Sequence, residues 1–219
     1  MRLLSLIIIC IGAIALVFFS VNPPSYAIEG TLETKSNSLM QEKPESYPVA
    51  TVAGGCFWCV ESEFRVIDGV LYTRVGYTGG ALENPTYEDI TTGQTGHAEA
   101  VEITYDPKKI SYKQIIEYFL TKAHDPTQLN RQGVDVGTQY RSEIFYHNEE
   151  QKKIAEQLIK DVDNRNVYGA KVVTKLGPAV KFWEAEGYHQ QYYEKYEEKN
   201  GEIHPRVFFK KKMKQLKGG

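Results

Sequence analysis

Residues 47–59 read Tyr47-Pro48-Val49-Ala50-Thr51-Val52-Ala53-Gly54-Gly55-Cys56-Phe57-Trp58-Cys59. The first seven make a short apolar strand, the paired glycines allow a sharp turn, and Cys56 opens a helix. Phe57, Val60, Phe64 and Ile67 then recur at helical spacing until Asp68-Gly69. Working outward, residues 70–77 read as a strand closed by Thr78-Gly79-Gly80. Asn84 and Pro85 suit an N-cap and first helical position, so a short helix or turn carries Tyr87. Residues 99–105 alternate as a strand, stopped by Asp106-Pro107. Ser111 caps a helix that turns Ile115, Ile116, Phe119, Leu120 and Ala123 inward. A loop over 124–138 leads to a strand over 139–147, and Asn148 starts a helix facing inward through Ile154, Ala155, Leu158, Ile159 and Val162. Strands near 171–176 and 179–183 and a polar, Tyr-rich helix over 188–200 complete the pattern. Alternating helices and strands predict an α/β (α+β) two-layer sandwich, a mixed sheet with packed helices and a ferredoxin-like core.

The flanks are of another kind. After Arg2, residues 3–19 are apolar apart from Ser5 and Gly12, and small residues stand at Ser25 and Ala27, the spacing of an export cleavage site after Ala27. The run is also nearly long enough to anchor the chain in a bilayer. With its one basic residue in front, either reading puts the rest outside the cytoplasm: the bacterial periplasm, an extracytoplasmic membrane face or an organellar lumen. Ile9 before Cys10 is too large for a lipidation site. The domain plan is therefore a signal peptide or N-terminal membrane anchor at 1–27, a polar linker at 28–48, a catalytic domain at 49–200 and a basic tail at 201–219. The linker has too few apolar residues to offset ordering entropy, whereas the domain is long enough for a hydrophobic core without disulfide staples. The formal net charge of −2 argues against nucleic acid as a partner. The tail's lysines suit a solvated end or an arm touching an anionic surface.

Cysteine use points to chemistry. Cys10 lies in the export segment, which leaves Cys56 and Cys59 as a single Cys-x-x-Cys pair. An exported protein stapled for stability would carry several distant pairs; one close pair at a helix start reads as redox-active. A thiol titrates near ~8.5, and a helix N-terminus lowers that value. Phe57 and Trp58 fit core packing, although Trp58 lies off the inward stripe and suits a pocket wall.

A second constellation is Thr95-Gly96-His97-Ala98-Glu99-Ala100-Val101-Glu102-Ile103. Alternation sets Glu99 on one face with Val101 and Ile103, and Glu102 on the other. If that face is buried, desolvation keeps Glu99 protonated and able to donate a proton; if the strand end emerges, Glu99 is an ordinary surface acid. A third stretch, Gly137-Thr138-Gln139-Tyr140-Arg141-Ser142 preceded by Asp135, offers a phenol and a carboxylate where a loop meets a strand, although by itself Tyr140 reads better as core.

Taken together, Gly-Cys-Phe-Trp at 55–58, Gly-Tyr-Thr-Gly-Gly at 76–80, Asn-Pro-Thr-Tyr at 84–87, Gly-His-Ala-Glu-Ala at 96–100 and Gly-Thr-Gln-Tyr-Arg-Ser at 137–142 resemble the type A peptide methionine sulfoxide reductases, in order, from about residue 49 to 193. The resemblance implies reduction of the S epimer of methionine sulfoxide, free or in proteins, and hence repair of oxidised exported proteins. It implies Cys56 as the nucleophile that becomes a sulfenic acid, Glu99 as proton donor, Tyr87 and Tyr140 as hydrogen-bond donors to the sulfoxide oxygen, Asp135 in support, and Phe57 and Trp58 as the cage for the substrate methyl. It implies no metal or organic cofactor and an external thiol reductant of the thioredoxin type; the chain is expected to act as a monomer. The chain departs from a common family pattern: its C-terminal tail has no cysteine, and Cys59 stands where many members have glycine. Cys59 is therefore expected to be the resolving residue, with the first helical turn unwinding for the disulfide to close. Tyr192 or Tyr193 could supply a third cage aromatic. Two rivals remain: a thioredoxin-like dithiol-disulfide oxidoreductase, which leaves Glu99 and Tyr87 unexplained, and a metal-binding module using Cys56, Cys59 and two of the five histidines, for which the histidine spacing is wrong.

Overall fold

The computed structural model describes residues 43–204. The expected signal or anchor at 1–27, most of the linker and most of the basic tail lie outside the described residues.

The first strand, β1 (Val49–Gly54), passes through Gly55 and Cys56 into helix α1 (Phe57–Phe64). Next come β2 (Val70–Thr78), the short helix α2 (Tyr87–Thr91) and β3 (Ala98–Tyr105). Helix α3 (Tyr112–Tyr118) loosens into a π-helical turn at Phe119–Ala123. A two-residue hairpin, β4 (Arg131–Gln132) with β5 (Asp135–Val136), precedes a 3-10 turn at Thr138–Tyr140 and strand β6 (Ser142–Tyr146). Helix α4 (Glu149–Asn164), strands β7 (Lys175–Pro178) and β8 (Trp183–Glu184) and helix α5 (Tyr192–Asn200) follow.

Six strands form one sheet in the order β7-β6-β1-β3-β2-β8. Only the β6–β7 pair is parallel; β1–β3, β1–β6, β2–β3 and β2–β8 are antiparallel. The central four, β6-β1-β3-β2 with α1 and α3 as crossovers, have the ferredoxin-like order expected from the sequence. On one face Val52, Val75, Val101, Ile103 and Ile144 meet Phe57, Val60 and Phe64 of α1, Ile115 and Ile116 of α3, and Ala155 and Leu158 of α4. On the other face a smaller cluster of Ala53, Ala98, Ala100 and Phe145 is covered by Ala179 and Phe182.

Several expected boundaries move, for local reasons. Helix α2 starts at Tyr87, not at Pro85, because Thr86 builds a capping box: its hydroxyl accepts the Asp89 N–H and the Asp89 carboxylate accepts the Thr86 N–H. The strand expected over 139–147 loses its first three residues to the turn that follows Gly137, where Tyr140 N–H reaches the Gly137 carbonyl at 3.0 Å. In that turn Gln139 is buried and Tyr140 half-buried, so the core reading of Tyr140 gives way to a partly open position. The last helix begins at Tyr192 rather than 188, leaving residues 185–191 as an ordered loop. At the other end Lys43, inside the expected linker, already bonds Glu102 at 2.7 Å.

Candidate active site

The two glycines before Cys56 are needed for different reasons. Gly55 has φ +93, a region side chains rarely enter, and a Cβ there would stand 2.5 Å from the Gln132 Cβ. At Gly54 a Cβ would meet the Phe119 ring at 2.8 Å. The turn delivers Cys56 as the N-cap of α1, outside the helix proper at φ −55, ψ 118, with its carbonyl accepting the Cys59 N–H at 3.0 Å. The residue is close to fully covered, at 9% exposure.

Phe57, the first residue of α1, has an N–H with no partner inside the helix. Glu99 Oε2 accepts it at 3.0 Å in a buried contact. Of the two readings the sequence leaves open for Glu99, the structure selects burial, at 2% exposure on the helix-facing side of β3. Glu102 is buried as well, at 6%, but on the opposite side and paired: Arg74 Nε bonds it at 2.8 Å and Lys43 Nζ at 2.7 Å. Burial would raise its pKa, yet these two cations hold it below the usual carboxylate range. One strand therefore carries two buried acids, one neutralised by cations and one docked on a helix N-terminus beside a cysteine.

The expected phenols come to the same place. Tyr87 opens α2 and is half-buried, and Tyr140 ends the 3-10 turn. Burial pushes both phenols up, and Glu99, Cys56 and Asp135 push each further. Both remain protonated donors at neutral pH, and the five groups lie within electrostatic reach of one another. Asp135 arrives on the β4–β5 hairpin, half-buried.

Phe57 and Trp58 form an aromatic wall, with ring centroids 6.3 Å apart. Phe57 also belongs to the core, at 1% exposure. Trp58 is half-buried, stacked on Tyr192 at 3.8 Å and 8°, and its Nε1 donates to His189 Nδ1 at 3.0 Å. Of the two suggested third aromatics, Tyr192 joins the Trp58 wall, while Tyr193 turns inward and its hydroxyl meets Cys59 Sγ at 3.2 Å. Cys59 is half-buried in α1, one turn beyond Cys56.

Sequence reading missed the loop over 185–191. His189 is 1% exposed, and its ring lies 5.1 Å from Phe57 and 4.5 Å from Tyr87. Glu186 accepts the Tyr87 N–H at 2.9 Å and the Tyr77 hydroxyl at 2.8 Å. Glu61, on the inner side of α1, accepts the Thr73 hydroxyl and the Gln191 N–H, each at 2.9 Å, and burial lifts its pKa to about 7. Apart from Glu61–Thr73, these partners lie 99 to 131 residues apart, as in Tyr87–Glu186 and Trp58–His189, and no spacing in the sequence signals them. Among the described residues, no group of three or more His, Cys, Asp or Glu could hold a metal ion, and no helix is long and apolar enough to cross a membrane.

The family model for peptide methionine sulfoxide reductase matches residues 48–218. A peptide methionine sulfoxide reductase MsrA from Saccharolobus solfataricus is 57% identical over 148 residues, 68% of this chain and 82% of that protein. One from Methanothermobacter thermautotrophicus is 54% identical over 149 residues, 68% of this chain and 88% of its own length. Among solved structures, the methionine sulfoxide reductase A of Corynebacterium diphtheriae superposes with a TM-score of 0.66 at 33% identity, covering 74% of this chain and 79% of that one. The reduced form of Mxr1 from Saccharomyces cerevisiae gives 0.65 at 31%, covering 75% and 91%.

Proposed function

This chain belongs to the peptide methionine sulfoxide reductase family, and we propose that it works through Cys56 as nucleophile, Glu99 as proton donor and Cys59 as resolving thiol. It is an oxidoreductase that reduces methionine sulfoxide by a thiol mechanism. Sulfoxide sulfur is a poor electrophile until its oxygen gains a proton, so a thiolate and a neutral acid must work side by side. The observation that carries the assignment is Glu99, buried and docked on the first N–H of the helix that Cys56 caps.

The steps balance as follows. The Cys56 thiolate attacks the sulfoxide sulfur while Glu99 protonates its oxygen, and Tyr87 and Tyr140 donate hydrogen bonds to that oxygen. The hydroxyl then passes to Cys56: the Cys56 sulfur–oxygen bond forms as the methionine sulfur–oxygen bond and the transient sulfur–sulfur bond break, leaving Cys56 oxidised to a sulfenic acid and methionine reduced by two electrons. The Cys59 sulfur then attacks the Cys56 sulfur, water leaves, and the resulting disulfide accepts two electrons from an external dithiol. Phe57 and Trp58 hold the substrate methyl, and Asp135 supports Tyr87 and Tyr140. Because Cys56 is the N-cap and not a helical residue, the closing disulfide bridges the helix start, and this favours side-chain rotation over the unwinding of a full turn.

The finer reading is selectivity for the S epimer, with a thioredoxin-type protein as reductant. The apolar run and small-residue spacing of residues 1–27 support export, with the mature domain repairing oxidised proteins outside the cytoplasm as a monomer.

The test is reduction of separate S and R methionine sulfoxide epimers with dithiothreitol, by wild type, Cys56→Ser and Cys59→Ser. Turnover of the S epimer alone is expected, with Cys56→Ser inactive. Without added thiol, Cys59→Ser should complete one turnover and accumulate sulfenic acid on Cys56; with dithiothreitol, which reduces the sulfenic acid directly, it should keep turning over, and with a thioredoxin-type donor it should fail. Inactivity of wild type on both epimers, together with reduction of insulin disulfides, would return the thioredoxin-like reading.

A further inference from the structure

The indole of Trp58 is held on its face and at its nitrogen by the loop over 185–191 and the start of α5. Its face stacks on Tyr192 at 3.8 Å, and its only polar atom, Nε1, donates to His189 Nδ1 at 3.0 Å. An indole N–H donates and never accepts. His189 Nδ1 must therefore present a lone pair, and in a neutral ring the proton sits on Nε2. That atom is buried without a hydrogen-bond partner and lies 3.8 Å from Glu186 Oε2. The same Glu186 carboxylate caps α2 through the Tyr87 N–H at 2.9 Å. The His189 ring fills the space between the two halves of the site, 4.5 Å from Tyr87, 5.1 Å from Phe57 and 5.5 Å from Trp58.

We propose that His189 is a positioning residue for substrate binding: its Nδ1 lone pair fixes the plane of Trp58, and so the width of the slot that takes the substrate methyl group. The inference rests on the reading of Trp58 as a cage wall. The chemistry asks for such a support. A methyl group offers no hydrogen bond, so its recognition depends wholly on how closely two aromatic surfaces approach it. Trp58 lies off the buried stripe of α1 and is half-buried at the edge of the core, so core packing holds it on one side only. A side chain at a site holds its geometry when its neighbours lock it, and the directional bond to His189 supplies that lock. Glu186 links the two sides. By capping Tyr87 and facing His189 it ties the phenol that meets the sulfoxide oxygen to the wall that meets the methyl, which sets both groups on the sulfur at one distance.

The test uses the full chain with dithiothreitol as reductant and a methionine-S-sulfoxide peptide as substrate. Asn at position 189 can offer an oxygen where Nδ1 stands, whereas Gln reaches the Nε2 position and Phe keeps the ring without any acceptor. His189→Asn is expected to stay within about twofold of wild type in KM and kcat. His189→Gln and His189→Phe should raise KM roughly tenfold, the loss of a buried hydrogen-bonded contact, with kcat changed less than about twofold. In a Trp58→Phe background, which has no indole N–H, His189→Gln should add nothing further. Equal KM values for Asn and Gln, an unchanged KM in Gln, or a full KM effect of Gln persisting in the Trp58→Phe background would each overturn the proposal. Should His189→Phe not fold, the Asn and Gln comparison decides alone. If Trp58→Phe itself leaves KM unchanged, it is the cage reading that has failed, and His189 falls with it.

Discussion

Phe57 donates its backbone N–H to Glu99 Oε2 at 3.0 Å, across a gap of 42 residues that β3 closes by pairing with its neighbours. The bond joins the acid to the same helix end that Cys56 caps, so the carboxyl and the thiol share one set of backbone dipoles. A parallel arrangement stands across the site, where Glu186 accepts the first N–H of α2 at Tyr87. Two helix starts, each closed by a distant acid, face one another around the cysteine.

Glu99→Gln keeps an oxygen to accept the Phe57 N–H but lacks an acidic proton. Its kcat should fall by roughly 10²–10⁴-fold, while thermal unfolding changes little. Glu99→Ala should lose activity as well and about 1–3 kcal/mol of stability, because a buried N–H is left unpaired. Steady-state rates beside melting curves separate the two; a Gln variant with near wild-type kcat would remove Glu99 from the chemistry.

Tyr87→Phe and Tyr140→Phe should each cost roughly 10²-fold in kcat, the usual loss for one donor to a reacting oxygen. The double variant should lose less than the product if the two phenols share that oxygen. Because both phenols are pushed upward by burial and by Glu99, no phenolate limb should show in the pH–rate profile below pH 10.

Glu61 gives stability a pH dependence of definite sign. Its folded pKa of about 7 lies above the ordinary carboxylate value because burial disfavours the charged form. Between those values the folded state holds a proton that the unfolded chain has released. The associated stability is full below the unfolded pKa and lost as pH rises through the folded one, on the order of 3 kcal/mol in all. Glu61→Gln keeps an acceptor for Gln191 or Thr73 and removes the titration. Its melting temperature should fall less than that of wild type between pH 5 and pH 8, and at pH 8 it should be the more stable of the two. Identical pH slopes for the two proteins would rule this out.

Gly55→Ala should be strongly damaging. The φ of +93 costs about 1–3 kcal/mol for a residue with a side chain. The new Cβ must also displace Gln132, whose amide accepts the Asp125 N–H and donates to the Asp125 carbonyl. Chemical denaturation would show the lost stability, and a rise in the Cys56 thiol pKa, followed by alkylation rate against pH, would show that the N-cap has shifted.

Much of the frame was legible before any tertiary contact was known, because it rests on local rules. Ser111 and Asn148 cap their helices as expected, since a side-chain oxygen serving an N–H three residues on is a short-range bond. Strand alternation assigned Glu99 to the side of Val101 and Ile103. It did not reveal that β3 is buried on both faces, because that depends on which segment covers the outer one, here Ala179 and Phe182. Pro85 misled because a proline permits a helix start without requiring one, and Thr86, two residues beyond Asn84, made the cap.

The sequence by itself determined the strand–turn–helix that presents Cys56, the Cys59 spacing and the two open readings of Glu99, and its resemblance to the family added Tyr87, Tyr140, Asp135, Phe57 and Trp58 as candidates, since each is written in neighbouring residues or in short motifs. Only the tertiary structure decided that Glu99 is buried, that Tyr192 stacks on Trp58 while Tyr193 meets Cys59, and that His189 and Glu186 underpin both sides of the site. Those outcomes depend on which distant segments the six-stranded sheet brings together, and a hydrogen bond across 131 residues leaves no periodic trace in the chain that makes it.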